Sequence, residues 1–232
     1  MPTRGVRTTR RETLLGGTVL LAAGCSLVGG ARGPKERPGD EVSPTEDLMR
    51  EHGVLERVLL IYDEQERRIR AGEEFEPDAV ASAARIVRRF IEDYHERLEE
   101  EHVFPRVEKI GKLGEIVAVL RQQHQRGRRV TDDVARLATR KALASAGDRA
   151  ALATSLHAYA HMFRPHAARE DTVVFPAYHG ALTAQELTAL GAAFEERERQ
   201  VLGPRGFEAV VDEVARLERE VRIYDLARVT PS

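Results

Sequence analysis

One cysteine in 232 residues, Cys25, leaves no partner for a disulfide within the chain and no thiolate set for a rubredoxin-like iron. Tryptophan is absent and aromatic residues reach only 5%; the Leu, Ala, Val, Glu and Arg that fill the composition favour helices over strands. No flavin- or nicotinamide-binding motif is present, so any electron donor has to be external. No basic stripe stands out either. The charged residues, 32% of the chain, are balanced and paired at i,i+4 spacing, which excludes nucleic acid as a partner. The longest apolar run, LLGGTVLLAA at 14–23, is about half the length that spans a bilayer as a helix.

That run nevertheless has a role. TRRETLL at 9–15 resembles the twin-arginine export motif, with Arg10 and Arg11 ahead of the apolar segment. The segment ends at LAAGCS, which resembles a lipobox, with Ala22 at the position usually held by Leu. Residues 1–24 therefore read as an export signal and Cys25 as the site of lipidation. Without residues 1–24, which carry four Arg and one Glu, the net charge moves from −2 to −5. Residues 25–42, rich in Gly, Pro and mixed charge, read as a flexible tether. The expected location is the cell envelope or periplasm, with the protein anchored to a membrane through Cys25.

From Ser43 onward the apolar positions recur at helical spacing. Ser43, Pro44 and Glu46 open a first helix that stops near Ala71-Gly72. Pro77 starts a second, which runs to Phe104-Pro105 or a turn beyond. Gly111 and Gly114 bracket a connection to a third, which is expected to end at about Ala144. A fourth is expected to be capped by Asp148 and to continue to about Tyr178. TAQE at 183–186 opens a fifth, and Gly206 precedes a sixth that ends near Val221. Long helices joined by short loops pack as antiparallel neighbours. The expectation is an all-α protein: an up-and-down four-helix bundle over 43–180, and two added helices over 181–232 that cover the bundle or meet a partner.

Two fragments of the bundle read almost as one: HERLEEEHVFP at 95–105 and HAAREDTVVFP at 166–176. Each has a His, a Glu four residues on, and Phe-Pro nine and ten residues on. His52 precedes His95 by 43 residues, and His124 precedes His166 by 42, so the duplication covers whole helix pairs. At ~1.5 Å per residue, the two histidines of each pair fall at one level, roughly 27–30 Å from their loop. Four imidazoles and the carboxylates of Glu99 and Glu170, one helical turn beyond their histidines, then converge in the core. Unpaired, such groups are intolerable there. Two divalent cations resolve the problem, with the two glutamates as bridges and positions left open for a small ligand. Imidazole and carboxylate together suit iron, ahead of manganese or zinc. A carboxylate-bridged ferritin-like site needs Glu-x-x-His on two different helices. Here Glu92/His95 and Glu99/His102 share one helix, and neither recurs around His166.

These residues resemble the hemerythrin-like (HHE cation-binding) family, a four-helix bundle whose non-haem di-iron centre reversibly binds small oxidants. The resemblance covers about 44–180. It implies His52, His95, Glu99, His124, His166 and Glu170 as ligands to two iron ions, with Glu99 and Glu170 bridging. Arg128 stands where the family's oxygen carriers have a second third-helix His. Glu56, one turn after His52, is either a further ligand or a hydrogen-bond acceptor behind one. The implied function is a binding protein for O2, NO or peroxide, or one that stores or senses iron. The alternative is an enzyme that reduces peroxide or NO at the same centre with an external electron donor. Phe104 and Phe175 are expected to wall the site, with Pro105 and Pro176 bending or ending their helices. Pro165, four residues after His161, is expected to kink the helix just before His166. His102 is expected to partner nearby charge, and His157 and His179 to lie at the periphery.

Overall fold

In a computed structural model of the chain, the residues described are 42–231 apart from 112; the segment read as an export signal, Cys25 and nearly all of the segment read as a tether lie outside them. The described residues form six long helices and no strand. Helix α1 is Pro44–Ala71 and α3 is Gly114–Leu137. Helices α2 and α4 are continuous helical runs over 77–110 and 146–179. Helices α5 (Ala184–Leu202) and α6 (Gly206–Glu220) follow.

The ends of α1 are set by local chemistry. Ser43 accepts from the Glu46 N–H while the Glu46 side chain accepts from the Ser43 N–H, Pro44 occupies the first turn, and Gly72 stops the helix in the left-handed region at φ 69°. Thr183 and Glu186 repeat the reciprocal cap at α5. Two sequence-based boundaries are corrected. Helix α3 stops at Leu137, and Ala142–Ala144 is a separate 3-10 turn. The cap of α4 is Ser145, whose hydroxyl accepts from the Asp148 N–H; Asp148 lies inside the first turn.

Helices α1–α4 form the bundle, packed in the ring α1–α2–α3–α4 and back to α1. Leu48, Leu55, Val58, Val87, Phe90, Val117, Leu120, Leu156 and Phe163 fill its interior. The two added helices lie on α1 and α2, where Arg57 of α1 grips the buried Glu218 of α6 with two bonds of 3.0 and 2.5 Å. Among the described residues, no helix is long and apolar enough to cross a membrane.

Both duplicated prolines stay inside their helices rather than ending them. A proline has no N–H to give, and its ring presses on the carbonyl four residues back. Each helix makes room with a wider π turn just before it, Glu99–Val103 and Glu170–Val174, in which the N–H groups of Phe104 and Phe175 reach back five residues to Glu99 and Glu170. Pro165 likewise sits within the helical run Ala146–Arg169.

Candidate metal centre

The six sequence-identified residues meet in one buried layer. His52, His95, Glu99, His124, His166 and Glu170 are each at most 5% exposed. The imidazoles form two pairs whose Nε2 atoms face one another: His52 and His95 at 3.0 Å, His124 and His166 at 3.2 Å. Glu99 lies between the pairs, one oxygen 3.5 Å from His95 Nε2 and the other 3.3 Å from His124 Nε2. Glu170 does the same from the other side, 3.5 Å from His52 Nε2 and 3.1 Å from His166 Nε2.

What the four rings do with their other nitrogen decides the chemistry. His95 Nδ1 lies 2.6 Å from Glu51, His52 Nδ1 2.7 Å from Asp171, His124 Nδ1 3.1 Å from Glu100, and His166 Nδ1 2.9 Å from the Gln123 carboxamide oxygen. An ionised carboxylate or an amide oxygen only accepts, so each Nδ1 carries the proton and donates. The four Nε2 lone pairs are thereby turned inward. None of the four carboxylate oxygens of Glu99 and Glu170 has a hydrogen-bond partner. Lone pairs at 3 Å beside two orphaned carboxylates demand positive charge between them. Protons supply some of it in the metal-free protein. Burial opposes charge on His95 and His124, but Glu99 and Glu51 raise the former well above its ordinary value, and Glu96, Glu100 and Glu99 raise the latter to about 10. Glu99, despite its burial, is held well below the usual carboxylate range by His95 and His124. Cations bound by Nε2 and carboxylate oxygen satisfy the same demand without protons, and the donor set fits them. His52, His95 and Glu99 offer atoms close enough to share one ion, as do Glu99, His124, His166 and Glu170, with Glu99 common to both groups.

The acceptors Glu51, Glu100, Gln123 and Asp171 were not identified from the sequence. Their pattern is itself duplicated: Glu51 and Gln123 each precede the first His of their half, and Glu100 and Asp171 each follow the bridging Glu. Glu51 and Gln123 hold a ring of their own half, whereas Glu100 and Asp171 hold a ring of the other. Phe104 stacks on His124 at 5.4 Å and Phe175 on His52 at 5.5 Å, as the walls expected of them.

Some other expectations resolve differently, while His157 and His179 lie exposed at the periphery as expected. Glu56 is not brought to the cluster; it pairs with Arg164 at 3.0 Å with half its side chain exposed. Arg128 also points away from the four Nε2 atoms, binding Glu96 at 2.7 Å and Glu100 at 2.8 Å. His102 faces the Phe194 ring at 5.5 Å rather than a charge. His157 stacks on His161 near the surface, and His179 meets the Thr45 hydroxyl. A second group of buried polar side chains, unforeseen, adjoins this layer, with Glu96 close to His124 and Glu100. There the hydroxyls of Tyr62, Thr131 and Tyr159 lack partners beside the buried Glu92 and Glu96, and burial lifts the carboxyl of Glu96 to about 7.

With this geometry in hand, comparison with known proteins gives a consistent picture. A family model described as the hemerythrin HHE cation binding domain matches residues 43–178. An uncharacterized protein of Mycobacterium bovis is 50% identical over 201 residues, 86% of this chain and 79% of that relative, and uncharacterized proteins from two strains of Mycobacterium tuberculosis match to the same extent. No solved structure matches.

Proposed function

The chain belongs to the hemerythrin HHE cation-binding family, and from that premise we propose that its six-residue layer holds two iron ions and binds a small ligand such as O2, NO or peroxide. One observation carries the reading: four Nδ1 atoms are tied to acceptors, so that four Nε2 lone pairs and two unpartnered carboxylates face one another in the core. His52 and His95 would hold one ion and His124 and His166 the other, with Glu99 and Glu170 shared. Bound iron supplies redox chemistry and open positions for the ligand. The residues of the chain would orient the imidazoles with Nε2 toward the bound ions and exclude bulk water. Arg128, in the slot of a further His, leaves one position more open than in the family's oxygen carriers. The full chain, loaded anaerobically with Fe(II), is expected to retain about two irons. Both should be lost together in Glu99→Ala or Glu170→Ala, because each carboxylate serves both ions. A stoichiometry of zero or one by metal analysis would sink the reading. Catalytic turnover of peroxide or NO by the loaded protein would convert it to the enzyme alternative.

The N-terminal motifs add a location to the proposal. The twin-arginine route carries folded, loaded proteins, which suits a metal centre assembled before export. Cleavage before Cys25 and lipid on that residue would leave the domain tethered outside the cytoplasmic membrane. Replacing Arg10 and Arg11 by Lys is expected to leave uncleaved precursor inside the cell; normal processing of that variant would exclude the route.

A further inference from the structure

Two cavities of about 400 and 340 Å3 open on the described surface, and the smaller one has a candidate metal-binding histidine in its wall. It is a groove between α1 and α4 whose wall includes the buried His52, Leu55 and Phe163 and the more exposed Gly53, Arg164 and Asp171. At its rim Arg164 is held by Glu56 at 3.0 Å and by Asp63 at 2.5 Å. The other five residues of the centre, His95, Glu99, His124, His166 and Glu170, are 3% exposed or less.

Gly53 is the feature that bulk packing does not account for. It lies in the interior of α1, where glycine is the worst residue after proline. It is not among the glycines with positive φ, so no special backbone conformation calls for it. No atom lies within 4 Å of where its Cβ would be. Gly127 is the opposite case: a Cβ there would come within 2.7 Å of the Phe163 ring, so close packing explains that glycine. Gly53 is exposed and lines the groove, so the space left by its missing side chain adjoins it.

We propose that this groove is the route by which small uncharged molecules reach the metal centre at its His52 side, and that Gly53 is the residue whose missing side chain keeps the route open. This rests on the iron reading above. The selectivity for uncharged molecules follows from the lining. Leu55, Leu59 and Phe163 offer no hydrogen bond, the charge of Arg164 is taken up by Glu56 and Asp63, and beside His52 an anion would meet the Asp171 carboxylate. Diatomic gases and hydrogen peroxide fit; nitrite and larger anions do not.

The test uses the full chain, nitric oxide as probe, and the variants Gly53→Ala and Gly53→Leu. Both side chains start in open space on a helix and are expected to preserve folding and iron content. In stopped-flow mixing with anaerobically iron-loaded protein, Gly53→Leu is expected to slow NO association by about tenfold or more, and Gly53→Ala to change it little. Crystals of the metal-free wild type under xenon pressure should show xenon in the groove, and crystals of Gly53→Leu should not. Undiminished NO association in fully iron-loaded Gly53→Leu would overturn the route while leaving the iron reading intact. Xenon in the groove of a wild-type protein that takes up no iron would overturn the iron reading, and with it the groove as a path to metal.

Discussion

Each imidazole of the centre is aimed by a second residue, and that residue is where a substitution tells most. Glu51 accepts from His95 in the first half, whereas the second half uses the neutral Gln123 in the same place for His166. Acceptance of the Nδ1 proton, rather than charge, is therefore what the position requires. Glu51→Gln is expected to keep both irons. Glu51→Leu should leave His95 free to turn and weaken binding by roughly 10–100-fold, as measured by competition with a chromophoric chelator. Equal losses in the two variants would mean that charge, not orientation, is the contribution. The six core residues were legible because His and Glu at fixed spacing in two halves seldom arise by chance. Their acceptors were not, because an acidic residue or a Gln beside a His on a charged helix carries no distinguishing pattern until the partner ring is placed.

At the scale of elements, helix starts were legible where side-chain chemistry is local, as at Ser43 and Thr183, and less so at the end of α3, where Ala138 follows Leu137 with no glycine to mark the stop. The π turns before Pro105 and Pro176 were beyond reach because a proline in a helical pattern signals disruption without saying which turn absorbs it. Amphipathic patterning of the last two helices gave a buried face but no address for it. The address depends on contacts such as Arg57 with Glu218, 161 residues apart. Glu218 is 6% exposed, so its loss leaves the guanidinium without its partner in a half-covered site. Glu218→Ala is expected to cost roughly 1.5–3 kcal/mol in urea unfolding, with iron content unchanged. Loss of iron in that variant would show that the added helices also support the centre.

For the molecule as a whole, the bundle followed from periodicity and loop length, and the convergence of four histidines from counting residues along antiparallel helices. Counting could not show how far the halves are interleaved. Glu99 and Glu100 reach His124, and Glu170 and Asp171 reach His52. Neither half holds a complete layer by itself, so the centre forms only once all four helices have closed.

The duplication is imperfect, and the imperfection has an electronic consequence. His52 and His95 each donate to a full carboxylate, Asp171 and Glu51. His124 donates to Glu100, whose charge is shared with Arg128, and His166 donates to a neutral amide. A hydrogen bond to an anion makes an imidazole a stronger electron donor. On the iron reading, the first pair would favour the higher oxidation state of an ion it held, and the second pair the lower. If two irons are bound, they would be expected to reduce at separated potentials. Gln123→Glu should bring the two steps closer together in a potentiometric titration, and an unchanged separation would show that the acceptors do not set it. On both proposals, the groove beside His52 would lead to the side whose acceptors make an ion held there the better electron donor.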